Sequence, residues 1–278
     1  MPDEQRGTAG VPSGRVKRTL GLVMLATSLA VGGAAFDAAP AEASQKKVVI
    51  VVGPVGKSTA SFKRVADETA AAARNNGAQV VKVYSPNATW GRVRAAAQGA
   101  HVFIYLGHGN GWPSPYKPFQ TRTKNGIGVN ARLNSGNNNH KYYGEAYMAS
   151  ELPLARGAAV ILMRLCYASG NSEPGKANPT KSVAMQRVDN YGAGFLRGPA
   201  SVVFADGLGK TNYILAGLLR SNRTMAEIFW TAPHKVGAYR IQFAGTRSSG
   251  RAIMDPRRPG LYYRSVIGNL NLTASDWR

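Results

Sequence analysis

Short runs of uninterrupted apolar residues recur along this chain, each ending in a loop and followed by a stretch of different period. Residues 48–52 read VVIVV and stop at Gly53-Pro54. Five consecutive β-branched residues cannot alternate between core and water, so the segment reads as a strand covered on both faces. The period then changes. Phe62, Val65, Ala66, Thr69, Ala70 and Ala73 fall at i, i+3, i+4, i+7, i+8 and i+11, with Ser58 or Thr59 as N-cap and Gly77 behind, which predicts an amphipathic helix. Residues 79–84 predict a second strand, Asn87 can cap a short helix carrying Trp90, Val93 and Ala97, and residues 102–106 (VFIYL) predict a third strand. Alternation resumes at residues 159–165, apolar except for Arg164. A helix with Ala184, Val188, Tyr191 and Phe195 on one face follows, then a strand over 201–205. Ile214 and Leu218 mark a further helix, and Thr224 with Glu227 forms a capping box for another. Strands apolar on both faces, alternating with helices, predict an α/β fold: an open, mainly parallel sheet with helices on both faces.

Two segments depart from the pattern. Residues of about 110–157, with WPSPY and NSGNNNHKYYG, are too long and polar for an ordinary connection and are expected to be an insertion, loop or lid. From about residue 235 the periodicity decays, predicting an irregular tail with a short strand or two around 239–243 and 261–266. The rest is expected to be one domain over 44–278. Ahead of it, Arg15, Lys17 and Arg18 precede an uncharged stretch over 19–36, and Ala41-Glu42-Ala43 offers small residues at the positions a signal peptidase reads. Residues 1–43 therefore read as a signal peptide cut near Ala43. No second long apolar run follows, so the mature chain is expected to carry no transmembrane segment and to be secreted or held in the cell envelope.

The 44% of apolar residues can fill a real core, and the single cysteine excludes an intramolecular disulfide framework. Four scattered histidines supply no HExxH pair, so neither a metal site nor any cofactor is implied. Four basic and four acidic residues precede Ser44, leaving 31 Lys and Arg against 10 Asp and Glu, still +21. Such a charge attracts acidic cell-surface polymers through salt-sensitive contacts. The cations are spread along the chain without interleaved aromatics, so specific nucleic-acid recognition is not expected.

In open α/β sheets ligands bind beyond the carboxyl ends of the strands, usually near a reversal in strand order, so the residues just after each strand carry the functional information. Directly after the third strand stands His108, within YLGHGNG, and after the fourth stands Cys166, within LCYASGN. If the two strands are neighbours, about 4.8 Å apart, thiol and imidazole meet at one sheet edge. A thiolate is a nucleophile, and an imidazole can take its proton and pass it to a leaving group. The amides of Gly109 and Cys166 are then candidates to bind a developing oxyanion.

At these residues the sequence resembles the caspase, gingipain, legumain and clostripain group of cysteine peptidases, in which an apolar strand runs into His-Gly and the next into the nucleophilic Cys. The matching segments are FIYLGHG and VILMRLC. The resemblance spans the strand order from Val48 to about Leu219. It implies a caspase-like three-layer sandwich, a Cys166/His108 dyad, and peptide or protein as substrate. Leu165, after Arg164, stands where family members often carry a small residue.

Four further residues are candidates for a substrate pocket. Trp112 and Tyr116 follow His108 closely and could form an apolar wall. Glu173 follows Cys166, and Asp206 follows the strand over 201–205, so either could select a basic substrate side chain. Gly56-Lys57-Ser58 imitates a phosphate-binding loop, but Val51 stands where the pattern requires glycine. The leading expectation is a secreted cysteine endopeptidase acting through a thioester acyl-enzyme. The alternative is a noncatalytic basic envelope protein that uses the same scaffold to hold acidic polymers.

Overall fold

The structure, a computed structural model, describes residues 45–278; the expected signal peptide lies outside the described residues. In chain order the elements are β1 (Lys47–Val52), α1 (Thr59–Asn75), β2 (Gln79–Tyr84), α2 (Trp90–Ala97) and β3 (Val102–Leu106). There follow β4 (Ile127–Asn130), β5 (His140–Tyr143), α3 (Glu145–Ser150), β6 (Ala158–Met163), α4 (Lys181–Leu196) and β7 (Ala200–Asp206). The last third carries α5 (Asn212–Arg220), α6 (Met225–Trp230), β8 (Ile241–Ala244), β9 (Arg251–Met254), β10 (Arg264–Gly268) and α7 (Ala274–Trp277).

Eight strands form one sheet in the order β2-β1-β3-β6-β7-β10-β9-β8. The first five are parallel and the last three join antiparallel. The apolar runs explain the burial: Val48, Ile50 and Val52 enter one core layer with Ile104, Ile161 and Phe204, beneath α1, α5 and α6. Val49 and Val51 enter the opposite layer with Phe103, Val160 and Val203, beneath α2 and α4. Each such side chain contributes about 1.5–3 kcal/mol on leaving water, which only a sheet covered on both faces can collect twice per strand. The chain is therefore an α/β fold with a mainly parallel sheet and helices on both sides.

Local signals set the helix ends. Thr180 caps α4 by accepting from the Val183 amide, and Thr224 and Glu227 close the expected capping box on α6. At α2 the N-cap position is Thr89, without a side-chain bond, rather than Asn87.

The insertion over 110–157 has structure of its own. β4 and β5 pair antiparallel as a second, two-stranded sheet, and α3 packs on α4. Tyr105 fastens this unit to the main sheet: its buried hydroxyl donates to the Gly128 carbonyl at 2.6 Å and accepts from the Gly128 amide at 3.0 Å. The segment after residue 235 is more regular than its sequence pattern indicates, because β8, β9 and β10 complete the sheet. At four or five residues each, these strands are too short to stand out by period alone.

Candidate active site

β3 and β6 are hydrogen-bonded neighbours with Leu106 opposite Met163. His108 and Cys166 thus leave the same sheet edge two and three residues beyond a matched pair. The strand order reverses between β1 and β3, so this site sits one strand further along, between β3 and β6.

The two loops meet because one has little side chain. A Cβ on Gly109 would collide with the Cys166 carbonyl and stand 2.6 Å from the Tyr191 hydroxyl. One on Gly111 would strike Cβ of Tyr167. The GHGNG segment therefore lies directly on the backbone that carries the cysteine. That backbone is itself strained: Arg164 and Tyr167, on either side of Cys166, adopt φ of 57° and 72°, a left-handed conformation rare for such bulky residues. Tyr191 of α4 donates a long hydrogen bond of 3.4 Å to the Cys166 carbonyl. Neither the Gly109 nor the Cys166 amide donates to an acceptor among the described residues, so both are free to bind an anion.

His108, Gly109, Asn110, Tyr116, Tyr142, Cys166 and Glu173 line one cavity of about 490 Å³. Cys166 is a free, half-buried thiol. Burial, with the Glu173 carboxylate adding to it, pushes the thiol up to about 11. Burial and the neighbouring His140 together hold the His108 imidazole below its ordinary value, partly offset by Glu173. Each group is perturbed by Glu173 rather than by the other, and no hydrogen bond joins them among the described residues. At neutral pH this is a neutral thiol and a neutral imidazole lining the same open cavity.

Glu173 is the acid of the site, but both its oxygens are engaged. Tyr167 donates to Oε1 at 2.7 Å and Tyr116 donates to Oε2 at 2.8 Å. Of the four expected pocket residues, Tyr116 and Glu173 line the cavity. Trp112 does not: its ring packs on Phe119, and its backbone is tied to Asn125 and Asn190. Asp206 does not either, because it is buried at the end of β7 and turned into the fold. Its Oδ1 accepts from the Leu208 and Gly209 amides at 2.8 and 2.9 Å, and its Oδ2 pairs with His234 at 2.8 Å, with Arg264 at 3.8 Å. All of these partners belong to the fold, and Asp206 does not line the cavity beside Cys166.

His140 has no motif context in the sequence, yet its ring lies 4.8 Å from that of His108, with the Tyr142 ring edge-on to it at 4.8 Å. It arrives there through β5, whose pairing with β4 sets His140 opposite Asn130. A histidine within an Asn-rich stretch gives no sign of that pairing.

Fold and site together define an α/β protein with a thiol and an imidazole converging from adjacent strand ends on a single cavity. No protein-family model and no curated protein matches the chain. Among solved structures, it is similar to a secreted C11 cysteine protease from Bacteroides thetaiotaomicron in complex with an irreversible peptide inhibitor. The two are 10% identical with a TM-score of 0.38, over 84% of this chain and 67% of that chain. A likeness of that extent carries no argument about chemistry. No helix among the described residues is long and apolar enough to cross a membrane.

Proposed function

We propose that the protein is an exported cysteine endopeptidase with Cys166 as nucleophile and His108 as its acid and base. The observation that carries this reading is the convergence of the two side chains, 58 residues apart in sequence, on one cavity at the ends of neighbouring strands. The resemblance of FIYLGHG and VILMRLC to the caspase, gingipain, legumain and clostripain group points the same way.

His108, neutral in the resting state, takes the thiol proton as Sγ attacks the substrate carbonyl carbon. The C=O π bond opens and the carbonyl oxygen becomes an anion, which the unpaired amides of Gly109 and Cys166 stabilise. His108 then protonates the leaving amine, the C–N bond breaks, and a thioester remains on Cys166. Water, deprotonated by His108, attacks the thioester and restores the thiol. The high thiol pKa fits this order, because proton transfer and attack occur together rather than from a stored thiolate.

Digestion of a peptide library by the wild type and by Cys166→Ala tests the reading. Cleavage by the wild type alone supports it; no cleavage, or equal cleavage by both, overturns it. The thiol's displacement to about 11 and the +21 charge favour one second reading, a noncatalytic basic envelope protein that binds acidic polymers. That reading expects salt-sensitive binding to an acidic polymer that Cys166→Ala leaves unchanged.

A further inference from the structure

Cys166 and Glu173 have a second cavity on their other side, of about 320 Å³, between the 171–178 loop and the turn over 257–263. Its charged lining residues are Arg164, Lys176 and Glu173. The acid is already engaged within the fold. Both its oxygens accept tyrosine hydroxyls, and the buried Arg187 lies under Tyr167, 4.7 Å from the ring centroid; burial holds its guanidinium below the ordinary value, with Tyr167 and Glu173 partly offsetting this. Arg187 itself is held only by neutral acceptors, the Pro113 and Asn171 carbonyls and the Ser172 hydroxyl. The two lining cations are the reverse case. Arg164 stacks on Phe62 at 5.3 Å, and neither it nor Lys176 has a carboxylate partner among the described residues. Asn171, in the same wall, carries a buried Oδ1 without a hydrogen-bond partner, an acceptor suited to a substrate amide N–H.

We propose that this second cavity receives an acidic side chain, Asp or Glu, of the substrate residue whose carbonyl Cys166 attacks, with Arg164 and Lys176 as its charge partners. The inference rests on the peptidase reading above and names its substrate class. It reverses the polarity expected from Glu173 and Asp206 in the sequence. Glu173 already holds a tyrosine hydroxyl on each oxygen, Asp206 faces elsewhere, and the charges left beside Cys166 without a charged partner are positive. A substrate lysine entering here would meet two cations and one acid already holding two tyrosine hydroxyls, whereas a carboxylate would meet two cationic donors.

Three tripeptidyl chloromethyl ketones that differ only in the last residue, Asp, Leu or Lys, test the proposal on the full chain. Each alkylates a reactive thiol as the S–C bond forms and chloride leaves, so intact mass reads the rate at Cys166 without turnover. The Asp ketone is expected to react about tenfold faster than the Lys ketone. The ratio is expected to shrink at high salt and to fall severalfold in Lys176→Gln and in Arg164→Asn. Lys176 is exposed, so its variant leaves the fold alone, and asparagine tolerates the left-handed backbone at position 164. Equal rates for all three ketones, or a faster Lys ketone, with labelling still lost in His108→Ala, would overturn the acidic pocket and leave the dyad standing. A ratio unmoved by either variant would overturn it as well. No labelling by any ketone would overturn the dyad, and the pocket with it.

Discussion

Replacing Glu173 by glutamine should make Cys166 easier to alkylate, by an amount the structure bounds. The thiol stands at about 11 against an ordinary 9.0. At pH 7.5 the thiolate fraction therefore drops about a hundredfold, to roughly 0.03%. Burial is the larger cause and the Glu173 charge the smaller. On a logarithmic scale the charge thus accounts for less than half of the hundredfold, so its removal should speed alkylation by less than about tenfold, with about threefold expected. Glutamine keeps an oxygen that can accept from a tyrosine, so the cavity wall is retained. The assay is iodoacetamide alkylation followed by intact mass across a pH series. In the wild type the rate should rise about tenfold per pH unit toward pH 11, and in Glu173→Gln the whole curve should move to lower pH. An unchanged or slower rate would mean that the carboxylate is not felt at the sulfur, and the electrostatic description of the site would fail.

Three further outcomes are expected. His108 is held below its usual value by burial and by His140, which disfavour the imidazolium, so it stays an active base further into acid. His140→Phe removes one of those causes and should raise the acid limb of kcat/KM toward neutral pH, which a pH–rate profile of both proteins would read. Gly109→Ala should cost about 1–3 kcal/mol in a denaturant melt, because the new Cβ meets the Cys166 carbonyl, and it should abolish labelling by peptidyl ketones. Asp206→Asn should cost roughly 3 kcal/mol of stability, since it weakens a buried group facing His234 and Arg264, while labelling of Cys166 at low temperature is retained.

What the sequence revealed and what it hid divide along a physical line. The parallel strands were legible because residues such as 48–52 must be apolar on both faces, and that pattern cannot mean much else at such length. His108 and Cys166 were legible because their segments end such strands. The partners of each group were not, because they come from elements with weak patterns. His140 reaches His108 only through the pairing of β4 with β5. Asp206 is turned inward because β10, a five-residue strand buried throughout, pairs with β7 and sets Arg264 opposite it. Trp112 looked like a wall for substrate from its place after His108. Its backbone is instead drawn aside by Asn125, whose left-handed φ of 59° and buried side chain organise the loop. Short-range sequence order gave the edge of the sheet; long-range pairing decided what faces the cavity.

The central claim is that Cys166 forms a covalent acyl bond to substrate with the help of His108. Acid-quenched intact mass during turnover of an activated peptidyl ester, followed by peptide mapping, tests it most directly. The expected result is an acyl adduct confined to Cys166, absent in Cys166→Ala and formed at least about a hundredfold more slowly in His108→Ala. An adduct on another residue, or one formed at the same rate without the imidazole, would contradict the account.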